Sequence, residues 1–280
     1  MILKSKLSLA ALAVAAAFAG GSAHANIVLP SVSNGNGNLF LVVWDDMGTE
    51  DIADDQSYSR DLGLFMNNFA SAANNTVMVA DKQQASTLIE FAPDALFAQW
   101  LADDSRNTAQ ERARLQWNVV GGDSAGERRL LTTVVAGTTP EGNNQGLIDM
   151  VTQVNSFASD QNSFATHNSA TDGSAVVLSS DGPAYGGSLS WGNNIGSKAT
   201  FINATNMGGS LEFFLLDANG GVAGNAYNKF RYQVDAATPM TWTLETNGNL
   251  VYAPVPEPGT YALMAAGLLG LGLVARRRGR

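Results

Sequence analysis

From residue 39 onward the chain is built of short apolar runs separated by Gly- and Asn-rich turns, a rhythm that predicts strands more often than helices. Residues 39–44 form a continuous apolar run of strand length, the first core strand. Ser59 is placed to cap a helix over 59–73, in which Leu62, Phe65, Met66 and Phe69 recur at helical spacing. A short strand is predicted at 76–80. Pro93 then opens a second helix whose apolar face carries Phe97, Trp100 and Leu101. Leu115, Trp117 and Val119 alternate with Arg114, Gln116 and Asn118, which predicts a strand with one wet face. The Gly121–Gly126 turn returns the chain into a second strand over 129–136, giving a β-hairpin.

Ile148, Val151, Val154 and Phe157 predict the longest helix, residues 145 to about 165. It is rich in Asn, Ser and Thr, so it depends on packing against a sheet. After residue 175 helical periodicity disappears. Strands are predicted at 175–178, 188–191, 200–203 and 211–216, followed by alternating segments at 229–234 and 240–244. Asn247-Gly248 is a hairpin signal that returns the chain through Leu250 and Tyr252. The pattern as a whole predicts an α+β domain: a mostly antiparallel, sandwich-like β-sheet with about three helices packed on it.

The two ends read differently. Lys4 and Lys6, an apolar stretch over 7–19 and the small residues Ala23 and Ala25 form a signal peptide, with cleavage expected before Asn26. At the other end Pro254, Pro256 and Pro258 restrict the backbone to extended conformations. The apolar run that follows, Tyr261 to Ala275, holds 15 residues. As a helix it spans about 22 Å, short of the ~30 Å hydrocarbon core. Arg276, Arg277, Arg278 and Arg280 stop it and hold the C-terminus in the cytoplasm. The expected division is therefore a signal peptide over 1–25, an exported β-rich domain over 26–253 and a sorting segment over 254–280.

Val255-Pro256-Glu257-Pro258, the short Ala/Leu/Gly-rich run and the terminal arginines together resemble the PEP-CTERM sorting domain of proteins exported by Gram-negative bacteria. The resemblance covers about a tenth of the chain. It implies recognition by an exosortase, a membrane-embedded cysteine protease, loss of the tail, and release to the surface or the exopolysaccharide matrix. A plain C-terminal membrane anchor is the competing reading of the same residues.

Residues 26–253 keep 10 of the 16 Lys and Arg and 24 of the 25 Asp and Glu, a net charge of −14. That balance argues against nucleic acid or an anionic surface as partner. The chain has no cysteine, so disulfides, thiol chemistry and Cys-ligated metals are excluded. His167 is the one histidine outside the signal, which excludes any site needing two imidazoles.

Candidate chemistry is sparse. Asp45, Asp46, Glu50, Asp51, Asp54 and Asp55 are hard oxygen ligands of the kind that hold Ca²⁺, but their spacing fails the EF-hand pattern, and a solvated acidic loop is expected. Gly122-Asp123-Ser124-Ala125-Gly126 matches G-x-S-x-G, with Ser124 as nucleophile, His167 as base and Asp149, Asp160 or Asp172 to orient it. The flanking strands contradict a nucleophile elbow and favour a simple turn, and His167 is expected to be an exposed polar residue. Trp191 and Tyr185 are candidate stacking platforms for sugar, whereas Trp100 shares a stripe with Phe97 and belongs to the core.

The expectation is a non-enzymatic, surface-sorted component of an extracellular matrix, without a cofactor. It would be processed by signal peptidase and exosortase, with a membrane contact through the tail beforehand. A polysaccharide- or Ca²⁺-binding module is the alternative, and a Ser124 hydrolase the third.

Overall fold

The computed structural model describes residues 27–29, 36–45, 52–67, 82–83, 88–125, 128–165, 167, 173–187, 195, 200–218, 221–235 and 238–255. The predicted signal helix, the strands at 76–80 and 188–191, and the apolar tail lie outside them. Among the described residues no helix is long and apolar enough to cross a membrane.

The strands are β1 (Asn38–Asp45), β2 (Gln56–Phe65), β3 (Lys82–Gln83), β4 (Ile89–Phe91), β5 (Gln116–Asp123), β6 (Arg129–Val135), β7 (Ser174–Leu178), β8 (Thr205–Asn206), β9 (Ser210–Asp217), β10 (Asn228–Asp235), β11 (Thr238–Leu244) and β12 (Leu250–Pro254). The helices are α1 (Ala95–Leu101), α2 (Ala109–Arg112) and α3 (Asn144–Gln161). All strands join one mostly antiparallel sheet, ordered β4-β12-β11-β10-β9-β6-β5-β1-β2-β7, with β3 beside β10 and β8 beside β5. The mostly antiparallel expectation holds. The arrangement is a single sheet curled into a half-barrel, where two stacked sheets were expected.

The curl brings the two ends of the sheet toward each other. Arg60 on β2 donates to the carbonyl of Ala92 at 2.7 Å, its guanidinium lies 5.6 Å from the Phe91 ring, and the Tyr58 hydroxyl donates to Asp94 at 2.9 Å. Asp94 also caps α1 by accepting from the Phe97 N–H at 2.7 Å. α1 then inserts Phe97 and Trp100 against Tyr58, the first ring pair 4.3 Å apart.

Both faces of the central strands are buried, which is why β1 reads as an unbroken apolar run. Leu39, Leu41 and Val43 join the interior of the curl with Trp117, Leu131, Phe213, Tyr232, Trp242 and Tyr252. Phe40, Val42 and Trp44 face outward, beneath Leu147, Met150, Val151, Val154 and Phe157 of α3. α3 is the helix predicted over 145–165, beginning one residue earlier and ending at Gln161.

Two expectations are corrected by this double burial. Residues 56–65 are strand β2, which overturns the helix predicted over 59–73 across 59–65; Met66 and Asn67 are helical, and 68–73 lie outside the described residues. Tyr58, Leu62 and Leu64 share the inner face. Over so few residues apolar positions fit either period, and eight paired positions on β1 decide for strand. β5 has no wet face either: Asn118 is fully buried on the side where solvent was expected, because α3 covers that side of the sheet. Residues 200–203 are irregular, and the strand in this region is the two-residue β8. The hairpins at β5–β6 and β11–β12 form as predicted, the second through Gly248 at a φ of 97° that favours glycine.

The antiparallel pairs also give the half-barrel two distinct ends. β2, β5, β9 and β12 run toward one end, which carries Val255, the β5–β6 turn and the start of β4. The opposite end carries the β1–β2 connection, α1, α2 and the β11–β12 turn.

Candidate functional site

Ser124 sits in the β5–β6 turn, as the hairpin reading expected, and its hydroxyl is bonded to Asn155 of α3. His167 is elsewhere. Its Nε2 lies 2.8 Å from Ser59 Oγ on β2, and it is fully buried, which corrects the expectation of an exposed polar residue.

The direction of this network follows from Gln161. Its amide nitrogen donates to the carbonyl of Ala184, so its oxygen faces Ser59 and accepts the Ser59 hydroxyl proton at 2.7 Å. The single proton of Ser59 is thereby used. His167 must carry its own proton on Nε2 and donate to Ser59, the opposite of what an activating base does. Burial pushes the His167 pKa down to about 4 against the opposing charge of Asp94, so the imidazole is neutral near pH 7. Spacing in the sequence pointed to Ser124 as the partner; Ser59, on β2, and Gln161, 102 residues further along the chain, meet only through the packing of α3 on the sheet.

The acidic segment does not form a cluster among the described residues. Asp45 is fully buried, with Arg106 Nη1 at 3.1 Å and Arg114 Nε at 2.9 Å on its two oxygens. Asp55 is also buried, and only Asp54 stands in solvent. This corrects the solvated-loop reading at Asp45 and Asp55. Asp46, Glu50 and Asp51 lie outside the described residues, within which no group of three acidic or imidazole side chains converges.

A cleft of about 670 Å³ opens on the outer face, lined by Glu212 and Phe214 of β9, Lys229 and Arg231 of β10, Tyr227 and the loop after β6. Arg231 is held by Gln233, whose amide oxygen accepts from Nε at 3.0 Å and Nη2 at 2.9 Å. Its third nitrogen is 3.6 Å from Glu212. Lys229 pairs with Glu141. Donors and acceptors therefore alternate along the cleft with little net charge. The rings of Phe214 and Tyr227 are buried, so they wall the cleft instead of offering a flat platform. Tyr185 is likewise buried in the outer core, a correction to its reading as a stacking platform, and Trp191 lies outside the described residues.

The remaining candidate is where the domain ends. β12 is paired from Leu250 to Pro254 with β11, and over Leu250–Tyr252 with β4. Trp242 and Tyr252 pack across the β11–β12 pair with ring centroids 4.8 Å apart. Pro254, which has no N–H to offer, closes the strand opposite Met240. The Val255 N–H then donates to the Pro239 carbonyl at 3.0 Å. The chain is held up to the residue that precedes Pro256-Glu257-Pro258. Residues 254–278 match the PEP-CTERM protein-sorting motif. No curated protein and no solved structure matches the chain.

The PEP-CTERM motif makes this an exported protein sorted by exosortase, in agreement with the resemblance read from the same residues. The match covers the sorting segment alone. Within the motif Pro254 and Val255 are part of the folded domain, whereas Pro256, Glu257, Pro258 and the arginines at 276, 277, 278 and 280 lie outside the described residues, as do Ala23 and Ala25.

Proposed function

We propose that the half-barrel is a non-enzymatic component of the extracellular, exopolysaccharide-rich matrix of a Gram-negative bacterium. In this reading signal peptidase removes residues 1–25 and the tail holds the chain in the inner membrane. Exosortase then cuts at Pro256-Glu257-Pro258 and frees the domain to the outer surface. The observation that carries it is the continuity of β12 with the PEP-CTERM motif: the last hydrogen bond among the described residues, from Val255, stands one residue before the triplet, so in this reading the domain closes while the tail is still in place. The domain works without a cofactor. Intact mass of the protein recovered outside the cell tests the reading. A chain starting at Asn26 and ending near residue 256 is expected, and a full-length chain kept in the inner membrane would overturn it in favour of a plain anchor.

The cleft on the outer face favours a second reading, a module that binds a hydroxyl-rich glycan. Alternating donors and acceptors from Arg231, Lys229, Glu212 and Asn228 suit sugar hydroxyls better than they suit an ion. Calorimetry with neutral oligosaccharides on the wild type and on Arg231→Gln tests it; heat that is unchanged in the variant would remove the cleft from consideration. A calorimetric blank with Ca²⁺ would remove the metal-binding version.

A further inference from the structure

Strand alternation puts one carboxylate where the fold does not use it. On β9, Leu211, Phe213 and Leu215 point into the curl, so Glu212 and Phe214 point outward, into the cleft. Glu212 stands between Val134 of β6 and Thr241 of β11. The valine has nothing to donate, and the threonine hydroxyl turns to the Ala253 carbonyl at 3.4 Å. Arg231 Nη1 is 3.6 Å from the Glu212 carboxylate, an ion pair too long for a hydrogen bond. The Glu212 side chain is 8% exposed, yet among the described residues no hydrogen bond reaches it. Tyr227, on the same cleft, also has a buried hydroxyl without a hydrogen-bond partner. Buried polar groups left in this state are rare and costly, which marks the cleft as a place where a ligand supplies what the fold does not.

The occupant must donate hydrogen bonds without bringing charge. Lys229 with Glu141 and Arg231 with Glu212 balance one another, so the cleft offers no net field to an ion. A cation or amine that met Glu212 would also meet Arg231. An acidic sugar would set a second carboxylate beside Glu212, on a domain whose net charge is already −14. Two adjacent hydroxyls of a neutral sugar satisfy both oxygens of a carboxylate at once, through charge-assisted hydrogen bonds. Thr138 and Thr139, from the loop after β6, add hydroxyls to the lining, and a cleft of about 670 Å³ admits a short oligosaccharide.

We propose that Glu212 anchors ligand in this cleft and selects neutral glycans with a free vicinal diol over polymers of uronic acid. The inference deepens the glycan-binding reading of the cleft and rests on it. That reading asks only for alternating donors and acceptors; the buried, unsatisfied carboxylate adds which sugars are held and which are turned away.

Calorimetry on the full-length protein, held in a detergent without a sugar headgroup, tests this. The probes are neutral gluco- and manno-oligosaccharides, the same chains with their vicinal hydroxyls methylated, and oligouronates. Affinity for a neutral chain should fall at least about tenfold on methylation, on exchange for a uronate, and in Glu212→Gln. The methylation and uronate comparisons use the wild type, so they stand even if the variant folds poorly. A neutral chain that binds wild type and folded Glu212→Gln alike, or binds as well once methylated, overturns the proposal, as do uronates that bind as tightly. Loss of that binding in Arg231→Gln would then keep the cleft as a glycan site without Glu212 as its anchor. No heat from any probe with the wild type would overturn the glycan-binding reading itself, and this inference with it.

Discussion

Asp45 and Arg106 form an ion pair at 3.1 Å in which the two side chains are 0% and 2% exposed. Arg106 also stacks over Trp100, its guanidinium carbon 4.5 Å from the ring. The pair ties the end of β1 to the segment between α1 and α2. A charge left alone at such a site is expensive, so Asp45→Ala should lower unfolding stability by about 3–5 kcal/mol in urea denaturation. If Asp45 were a surface ligand, the loss would be within about 0.5 kcal/mol.

Acid should loosen the seam between α3 and the sheet. The His167 pKa falls from 6.5 in the unfolded chain to about 4 in the folded protein, chiefly through burial. The unfolded state therefore binds the proton more tightly. The contribution of His167 is complete above about pH 6.5 and is lost progressively as the pH falls toward 4, amounting to about 3 kcal/mol. Denaturation midpoints measured from pH 7.5 to 4 should show this slope in the wild type and a shallower one in His167→Gln.

How much of this was legible in the residues depended on whether a feature was local. β1, the β5–β6 and β11–β12 hairpins, α3 and the sorting motif are written in contiguous residues, through apolar runs, turn glycines and a proline triplet. The strand character of β2 was hidden because Leu62 and Met66 sit at a spacing that serves either period, and only the register with β1, across the intervening acidic connection, decides between them. Asp45 and Asp55 stood in an acidic run that reads as solvated, while the arginines that bury Asp45 arrive some 60 residues later. His167 suffered the same distance effect: Ser59 lies 108 residues away.

Asp94 serves two elements, capping α1 and accepting from Tyr58 across the closing seam of the half-barrel. Asp94→Ala removes the cap, worth about 1 kcal/mol, and strips an acceptor from a buried hydroxyl, at about 1–3 kcal/mol. Asp94→Asn keeps one oxygen for the cap and turns an amide N–H toward the Tyr58 oxygen, which can accept it, so it should cost far less. Thermal unfolding of the two variants separates a seam held by this side chain from one held by apolar packing alone, for which they would behave alike.

Fold and sorting should be separable at Val255. All described pairing of β12 ends at or before that residue, and its core contribution comes from Leu250 and from Tyr252 against Trp242. Replacing Pro256, Glu257 and Pro258 together by serine touches none of this, so the unfolding midpoint of the purified domain should stay within about 0.5 kcal/mol of wild type. The same replacement should stop exosortase processing and leave a full-length chain in the membrane fraction. Trp242→Ala is the converse probe. It keeps the motif intact but empties a fully buried site in the interior of the curl, at a cost of about 3–5 kcal/mol, so its product should be cut at the usual place and then lost to proteolysis. Blotting membrane and culture fractions of both variants reads the two effects side by side. Normal-sized product outside the cell from the triple-serine chain would mean that the triplet is not what the protease recognises.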